Sequence, residues 1–424
     1  MNITAVIMAG GKGTRIREIN SEVPKPMIPI LGKPILQYEI ETLKSQNVTD
    51  IILVVGYLGD QIVSYFGDGS KYGVNIRYIE EKEPLGTAGS MFYLKNMVSD
   101  DFLLLNGDNL FDVDIHRFYE AHVRNGCLAT IFTHPNNHPY DSGVIVTDDN
   151  GLVTKWMTKE EERLWYHNRV NAGLHFFNKR ILDKFVDAKK TDLDRQVLKP
   201  LIDERQLYVY DSPEYVKDMG TPDRYRQVIE DIRKNLPRIR NLSHKQKAIF
   251  LDRDGTINKY VGFLRKLDDF ELLPGVSEAI RLINQSEYLA VVVTNQPVIA
   301  RGEVTIPQLN EIHNKMETLL GREGAFINGL YYCPHHPDKG YEGEIPELKF
   351  DCDCRKPKAG MLFKAAKDFN IDLTQSWIIG DGENDVQCGI NGGCKTAYIG
   401  NKEIGAVPNI TADDLLLAVK KILG

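Results

Sequence analysis

The sequence predicts an α/β protein built as two domains in tandem, and three observations support that class. Strand-length apolar runs alternate with amphipathic helical stretches through both halves. The alternation fades into a charged connection past the middle and then restarts. Each half opens on an apolar run that ends in a turn rich in glycine or aspartate: "VIMAGGKGTR" at Val6 to Arg15 and "FLDRDGTIN" at Phe250 to Asn258. A chain of 424 residues is also too long for one ordinary core.

In the first half, "TAVIMAG", "DIILVVG", "VNIRYIE", "DFLLLNGD" and "LATIFTH" read as strands, with helical stretches such as "PILQYEIETLKSQ" between them. Strand followed by helix, repeated, predicts a sheet of parallel strands. "DRYRQVIEDIRKNLPRIRNLSHKQK" then reads as a helix followed by a charged connection broken at Pro237. With "KAIFLD", "YLAVVVTN" and "QSWIIGD" the pattern begins again. The expected division is 1–236 for the first domain, 237–246 for a linker and 247–424 for the second domain. The glycine and aspartate patterns of the two openings differ, so they are not an internal repeat.

Composition narrows the function. With 42% hydrophobic and 26% charged residues the chain reads as globular. A net charge of −7 argues against a nucleic-acid surface. The apolar runs are far shorter than the roughly 20 residues of a membrane span, and the N-terminal one breaks into glycines at once, so no signal peptide is expected and the chain reads as cytoplasmic. The expected partners are therefore small molecules, with a homo-oligomer allowed and neither nucleic acid nor membrane among them. Six cysteines in that setting point to metal ligands or buried thiols rather than disulfides.

The first opening places Gly10, Gly11 and Gly13 directly after a strand, where exposed N–H groups can wrap an anion. Thr14 and Arg15 follow, and a guanidinium suits a pair of phosphate oxygens. "VPKPMIP" presents Lys25 between prolines, and "LLLNGDN" ends a buried strand with Asp108, a carboxylate suited to holding a cation.

Together with "EEKEPLGTAGS", "NAG" and "KDMGTP", these motifs resemble the sugar-phosphate nucleotidyltransferases from Met1 to about Leu236. The resemblance implies that Gly10 to Gly13 and Arg15 hold the β- and γ-phosphates of a nucleotide while Lys25 meets the α-phosphate. Glu81 with Gly86, Thr87 and Gly89 would line the base and ribose. Asp108 and Asp218 would share Mg²⁺, and Asn171 and Gly173 would contact the sugar. Such a transfer relies on positioning and charge neutralisation, and the motifs contain no histidine nucleophile. Where members often carry Glu-Lys before "NAG", this chain has Thr158-Lys159, leaving Lys159 to meet the sugar phosphate without its carboxylate neighbour. "LGTAGS" and "KDMGTPDRY" favour the guanylyltransferase branch, hence GTP, and a carboxylate such as Glu81 could accept from guanine N1 and N2.

In the second opening Asp252 ends the strand, Asp254 lies two residues on, and Gly255 permits the turn. Two such close carboxylates need a cation, a shared proton or a charged substrate. With Thr294 and Asn295 in "VVVTN", Lys356 in "CRKP", and Asp381 and Asp385 in "IIGDGENDV", the segment from Lys247 to about Gly400 resembles the haloacid-dehalogenase phosphatases. The resemblance implies that Asp252 is a nucleophile and Asp254 a general acid and base. Mg²⁺ would sit on Asp252, the carbonyl of Asp254 and Asp381, while Thr294 and Lys356 neutralise the phosphoryl oxygens.

The one sizeable insertion carries Cys333, His335, Cys352 and Cys354, two close pairs of soft donors with the composition of a structural Zn²⁺ site. His336 is the alternative nitrogen ligand, Asp338 reads as solvated, and Cys127, Cys388 and Cys394 read as core or surface thiols. A zinc loop running into "RKP" is similar to the branch that holds the D-glycero-D-manno-heptose 1,7-bisphosphate and histidinol-phosphate phosphatases, with Arg355 on the phosphate that is not cleaved. Two departures are visible: Pro297-Val298 where the branch usually has Ser-Gly, and Gly382 where it often has lysine.

The resemblances therefore imply two Rossmann-like α/β domains: a nucleotidyltransferase fold, and a haloacid-dehalogenase-like fold with a zinc loop. The function they imply is the C7 dephosphorylation of heptose bisphosphate followed by GMP transfer from GTP to heptose 1-phosphate. The alternatives are a histidinol-phosphate-type phosphatase joined to a transferase using another nucleotide or sugar, such as mannose 1-phosphate, or one silent domain.

Overall fold

The computed structural model describes residues 3–11 and 22–424. The chain forms two compact units, one of Met1–Thr133, Ile145–Trp156 and Asn171–Asn241, the other of His134–Val144, Met157–Val170 and Leu242–Gly424. The last segment of the first unit ends at Asn241, and two segments from the first half group with the second unit. Pro237 does not break the expected connection. It sits in the first turn of a short helix, Leu236–Ile239, where a missing N–H costs nothing.

The first unit is built on a nine-stranded sheet whose centre is Thr4–Met8, hydrogen-bonded in parallel to Asp50–Val55 on one side and Asp101–Asn106 on the other. These runs are apolar between their ends because both faces are covered there, which is why they read as continuous rather than alternating. Parallel pairing continues to Asn75–Glu80 on Asp50–Val55 and recurs between Leu207–Asp211 and Ala129–His134, but it does not hold throughout. Val170–Asn178 runs antiparallel to Asp101–Asn106, so the sheet is mixed. Helix Ile35–Ser45 starts at Pro34 and buries Ile35, Leu36, Ile40 and Leu43 on one face; the same face buries a charged residue, Glu39.

The second unit has a six-stranded sheet in the order Gly329–Cys333, Tyr288–Asn295, Lys247–Leu251, Trp377–Gly380, Lys395–Ile399, Ile410–Ala412, parallel throughout. Lys247–Leu251 lies inside it, with the next strand in sequence on one side and Trp377–Gly380 on the other. The chain therefore reverses its direction of travel at this strand, the switch point at which ligands bind in open α/β sheets.

Helix Ile306–Arg322 begins with a capping box between Thr305 and Gln308. Its Glu317 is buried and accepts from His167 Nδ1 at 2.8 Å and Asn168 N at 2.9 Å, with Arg169 Nη1 at 3.5 Å. Burial pushes this carboxyl up, but His167, Arg169 and the Asn168 N–H outweigh it and hold it below its ordinary value. A depressed folded-state value gives stability that is full above the unfolded pKa, about 4.3, and is lost as pH falls through the folded value. Glu317→Gln is therefore expected to cost about 2–3 kcal/mol at pH 7, with the gap to the parent closing below about pH 4. Urea unfolding at the two pH values checks it.

Candidate active sites

In the first unit, Thr4–Met8 leads into Gly10 and Gly11. Gly11 is exposed, and a Cβ on Gly10 would stand 3.0 Å from Glu81 Oε2. Gly13, Thr14 and Arg15 lie outside the described residues. Glu81 follows the strand Asn75–Glu80; its Oε1 is buried without a hydrogen-bond partner, and burial pushes the carboxyl up. Gly86, Thr87 and Gly89 join this loop to the segment after Lys189. Ala88 N donates to Thr191 O at 3.0 Å, and Leu193 N donates to Thr87 Oγ1 at 2.7 Å. A Cβ on Gly89 would come within 2.2 Å of Lys189 O, so only glycine lets the two backbones meet.

Lys25 opens the 3-10 turn Lys25–Met27 and its ammonium pairs with Asp108. Asp218 ends the strand Tyr215–Asp218, whose antiparallel register sets it opposite Asn109, the residue after Asp108. Arg224 Nη1 reaches both Asp218 oxygens at 3.0 and 2.9 Å, and Gly220 N donates at 2.7 Å. Burial raises the Asp218 carboxyl, but Arg224, the Gly220 N–H and Lys25 outweigh it, leaving it below its ordinary value.

Behind this pair stands Glu39, which sequence reasoning missed. Its Oε1 accepts from Asn109 N at 3.2 Å and its Oε2 is buried with no partner. Burial first, then the Asp108 charge, push its carboxyl well above the usual range, against the Asn109 N–H and Lys25. Its place on the apolar face of helix Ile35–Ser45 was the available signal.

At the sugar end, Asn171 Oδ1 accepts from Gly173 N and from His175 Nε2, both at 3.1 Å. Burial drives His175 down to about 3, so the ring is neutral. Gly173 lies against the amides of Asn106 and Asn109. Lys159 is exposed just past the strand Val153–Met157 and is grouped with the second unit.

In the second unit, Asp252 emerges from Lys247–Leu251 between Thr294 and Asn295, which end one neighbouring strand, and Asp381, which follows the other. Lys356 is buried and its Nζ donates to Asp252 Oδ1 at 2.7 Å, Asp385 Oδ1 at 2.6 Å and Val293 O at 2.9 Å. Asn295 fixes the Lys356 backbone from both sides: its Oδ1 accepts from Lys356 N and its Nδ2 donates to Lys356 O, each at 3.0 Å. Burial first, then the neighbouring carboxylates, push Asp252 and Asp381 up to about 6, with Lys356 opposing. A Cβ on Gly255, whose φ is +88°, would overlap the Asp381 carboxyl, so the turn demands glycine.

Asp254 is held away from this centre. Arg253 Nη2 reaches its oxygens at 2.9 and 2.8 Å, Gln296 Nε2 donates at 2.9 Å and Asn258 Nδ2 at 3.0 Å. Arg253 is fully buried and its Nη1 donates to His313 Nε2 at 3.1 Å, while Gln296 also donates to Thr294 Oγ1 at 2.9 Å. Arg253, Gln296, Asn258 and His313 were not anticipated; Arg253 lies inside the "DRDGT" motif, where a buried guanidinium needs a nearby acceptor.

Among the described residues, two groups have ligand atoms all within 4.8 Å of one another: Asp252, Asp381 and Asp385; and Cys333, His335, Cys352 and Cys354. Asp385 thus joins the carboxylates expected to hold a cation. In the second group the pairs Cys333–Cys352, Cys352–Cys354, Cys354–His335 and His335–Cys333 are 3.5, 3.3, 3.3 and 3.7 Å apart. A tetrahedral ion with bonds of about 2.3 Å to sulfur needs edges near 3.7 Å, so the donor set fits one metal ion. His336 is elsewhere engaged: its Nδ1 accepts from Asp338 N at 3.1 Å. Arg355 Nη1 donates weakly to His335 O at 3.4 Å. Cys127, Cys388 and Cys394 are buried thiols outside both groups. Among the described residues no helix is long and apolar enough to cross a membrane.

Two separate phosphoryl-transfer frameworks thus share one chain. Residues 4–235 match the nucleotidyl transferase family model and residues 353–404 the HAD-hydrolase-like one. Over 222 residues the chain is 31% identical to the mannose-1-phosphate guanylyltransferase catalytic subunit beta of Drosophila melanogaster, covering 51% of this chain and 59% of that protein. Over 243 residues it is 32% identical to the UTP–glucose-1-phosphate uridylyltransferase of Synechocystis, covering 54% and 63%. Over 145 residues it is 45% identical to the D-glycero-β-D-manno-heptose-1,7-bisphosphate 7-phosphatase of Haemophilus influenzae, covering 34% and 76%. The chain belongs to the nucleotidyl transferase family through its first half and to the haloacid-dehalogenase-like heptose-bisphosphate phosphatase family through its second.

Lys356 is the counter-charge of the second centre. Removing one partner of a buried charge cluster typically costs about 3–5 kcal/mol, and Lys356→Met is expected to lose that much from the second unit. Equilibrium unfolding of the full chain at pH 7 measures it.

Proposed function

We propose that the second unit removes the C7 phosphate of D-glycero-D-manno-heptose 1,7-bisphosphate, and that the first transfers GMP from GTP to the resulting heptose 1-phosphate, releasing pyrophosphate. One observation carries the reading: a Lys356–Asp252–Asp385 centre, in a half so similar to a 7-phosphatase, lies in one chain with a Lys25–Asp108 centre of nucleotidyl transferase type. The transferase needs a free sugar 1-phosphate, because an oxygen of that phosphate is its nucleophile. Hydrolysis at C1 would destroy that nucleophile; hydrolysis at C7 makes it available.

In the phosphatase step Asp252 attacks phosphorus, the bond to the C7 oxygen breaks, and Asp254 delivers a proton to that oxygen. Water then attacks the aspartyl-phosphate, with Asp254 taking its proton. Lys356 and Thr294 hold the phosphoryl oxygens. Mg²⁺ on Asp252, Asp381 and the Asp254 carbonyl supplies, when bound, charge neutralisation for this group, and Asp385 stands within the same reach. In the transferase step the sugar-phosphate oxygen attacks the α-phosphorus of the nucleotide and pyrophosphate leaves, with Lys25 beside the α-phosphate; Asp108 and Asp218 would hold Mg²⁺, which would supply charge neutralisation there. The unpartnered Glu81 oxygen favours guanine, since a carboxylate can accept from N1 and N2 together. The curated relatives include both guanylyl- and uridylyltransferases, so the base rests on Glu81 and the motif resemblance.

The Asp108→Asn protein isolates the first step. Phosphorus NMR of the bisphosphate incubated with it should show loss of the C7 resonance, whereas selective loss of the anomeric signal refutes the coupled order. With the parent protein and heptose 1-phosphate, pyrophosphate release should be faster with GTP than with UTP, CTP or dTTP.

The Cys333, His335, Cys352 and Cys354 group is assigned to structural zinc, which stabilises the folded loop when bound. Elemental analysis of protein prepared without chelator should find about one zinc per chain. Cys352→Ser should lose it and lower the melting of the second unit by roughly 10 °C.

A further inference from the structure

Among the described residues Arg253 is the largest side chain that is fully buried. Its guanidinium meets Asp254 through Nη2, at 2.9 and 2.8 Å, and through Nε, at 3.2 Å. Nη2 also donates to Gln296 Oε1 at 3.0 Å, and Nη1 to His313 Nε2 at 3.1 Å. A guanidinium only donates, so His313 accepts through Nε2 and keeps its proton on Nδ1. Burial first, then Arg253 and His167, hold that imidazole well below its ordinary value, which suits an acceptor.

The same logic orients Gln296. With its Oε1 accepting from Arg253, its Nε2 is turned to Asp254 Oδ2 and to Thr294 Oγ1, 2.9 Å from each. Thr294 thus receives a hydrogen bond, and its own hydroxyl proton is left for an outside acceptor. Removing the guanidinium would release Asp254 directly and would unfix the Gln296 amide that also holds it. Of these contacts only that of Asn258 Nδ2 with Asp254 Oδ1, at 3.0 Å, would remain. The leaving oxygen of an in-line displacement departs away from Asp252, so its proton donor has to stand apart from the carboxylates gathered around Lys356. Proton transfer demands hydrogen-bond reach, about 2.6–3.2 Å, so the hold on Asp254 decides whether it works.

We propose that Arg253 and His313 are positioning residues for proton transfer: His313 fixes the guanidinium, and the guanidinium holds the Asp254 carboxyl where it meets the leaving oxygen. This rests on the reading of Asp254 as the proton donor. In the step concerned the bond from Asp252 to phosphorus forms, and the bond from phosphorus to the leaving oxygen breaks. Its electron pair passes to that oxygen, which takes the proton from Asp254. Arg253 and His313 are both buried and act on the substrate through other side chains. A purely structural role would slow every substrate alike; a role in proton transfer falls on those whose leaving group needs the proton.

The test is the dependence of kcat/KM on the leaving group for substituted phenyl phosphates, from p-nitrophenyl to p-methoxyphenyl, hydrolysed by the full chain with Mg²⁺. This constant covers the steps up to departure of the leaving group. The p-nitrophenolate leaves without a proton, whereas the poorer phenolates need one. Arg253→Met should lose about 100-fold on p-methoxyphenyl phosphate relative to p-nitrophenyl phosphate. His313→Leu should lose about tenfold on the same ratio, and His313→Gln, whose amide oxygen restores an acceptor, should recover most of it. Melting temperature and zinc content establish that the variants are folded, and the His313 pair carries the test by itself if Arg253→Met does not fold. Losses equal across the series, or a ratio that the variants leave unchanged, overturn the positioning role. Asp254→Asn separates it from the reading beneath. A ratio unmoved by Asp254→Asn refutes Asp254 as the proton donor, whereas a ratio moved by Asp254→Asn but by neither Arg253→Met nor His313→Leu refutes the proposal alone.

Discussion

The second unit depends on one ammonium group. Lys356 Nζ sits between Asp252 and Asp385 and under the carbonyl of Val293, so every donor it has is used in a place closed to water. Three carboxylates, two just past parallel strands and Asp385 in the first turn of the helix Glu383–Gly392, would otherwise repel one another. Nothing in the strand that carries Asp252 can supply this cation; it comes from a loop distant in sequence. That loop must be held rigidly, and it is held twice: by the Asn295 side chain on the Lys356 backbone, and by the cysteine and histidine cluster immediately before it. A ligand cluster that ends two residues before Lys356 thereby helps to position its ammonium between Asp252 and Asp385.

The first unit solves the same problem with partly buried partners. Lys25 pairs with Asp108 and Arg224 with Asp218, and neither cation is as deeply enclosed as Lys356. Under the proposed function this difference has a use. A metal ion on the two aspartates would take over their charge, leaving Lys25 free for the α-phosphate, so that loading the site exchanges partners instead of creating new unpaired charges. Glu39, buried behind Asp108 with its carboxyl pushed well above the usual range, spends one oxygen on fixing the Asn109 backbone.

What was legible in the sequence was whatever stands at the end of an apolar run. Asp108, Asp252, Thr294 and Asp381 all follow buried strands, and both the strand and its terminal polar residue are visible in one dimension. The four metal-type ligands were legible because two close pairs of soft donors in a loop poor in apolar residues have little else to do. Partners contributed by distant segments were not legible. Arg253 reads as a solvated arginine beside two aspartates, yet the fold buries it completely against Asp254, Gln296 and His313. Glu39 reads as one acidic residue among several on a helix. Pro237 reads as a break, although a first helical turn accepts it. The grouping of His134–Val144 and Met157–Val170 with the second unit leaves no periodic signal, because it depends on contacts such as that of Glu317 with His167.

The two departures from the phosphatase pattern act on different parts of this machinery. Pro297-Val298 leaves the catalytic network untouched, because that network uses Gln296, and Val298 is buried with Ile299, Val304 and Leu309 in a small apolar cluster of its own. The change lies instead in the loop that leads to Arg301. Gly382 acts on charge. Its N–H donates to Asp385 Oδ2 at 3.1 Å, as a backbone amide of any residue would, but the lysine often found there is gone. Beside Asp381 the centre therefore has one positive charge fewer, and Lys356 is left as the cation that pairs with Asp252 and Asp385. Under the proposed function, with less fixed positive charge, a larger share of the neutralisation of the phosphoryl group would come from a bound cation, so this centre should depend more on a metal ion than one that keeps the lysine.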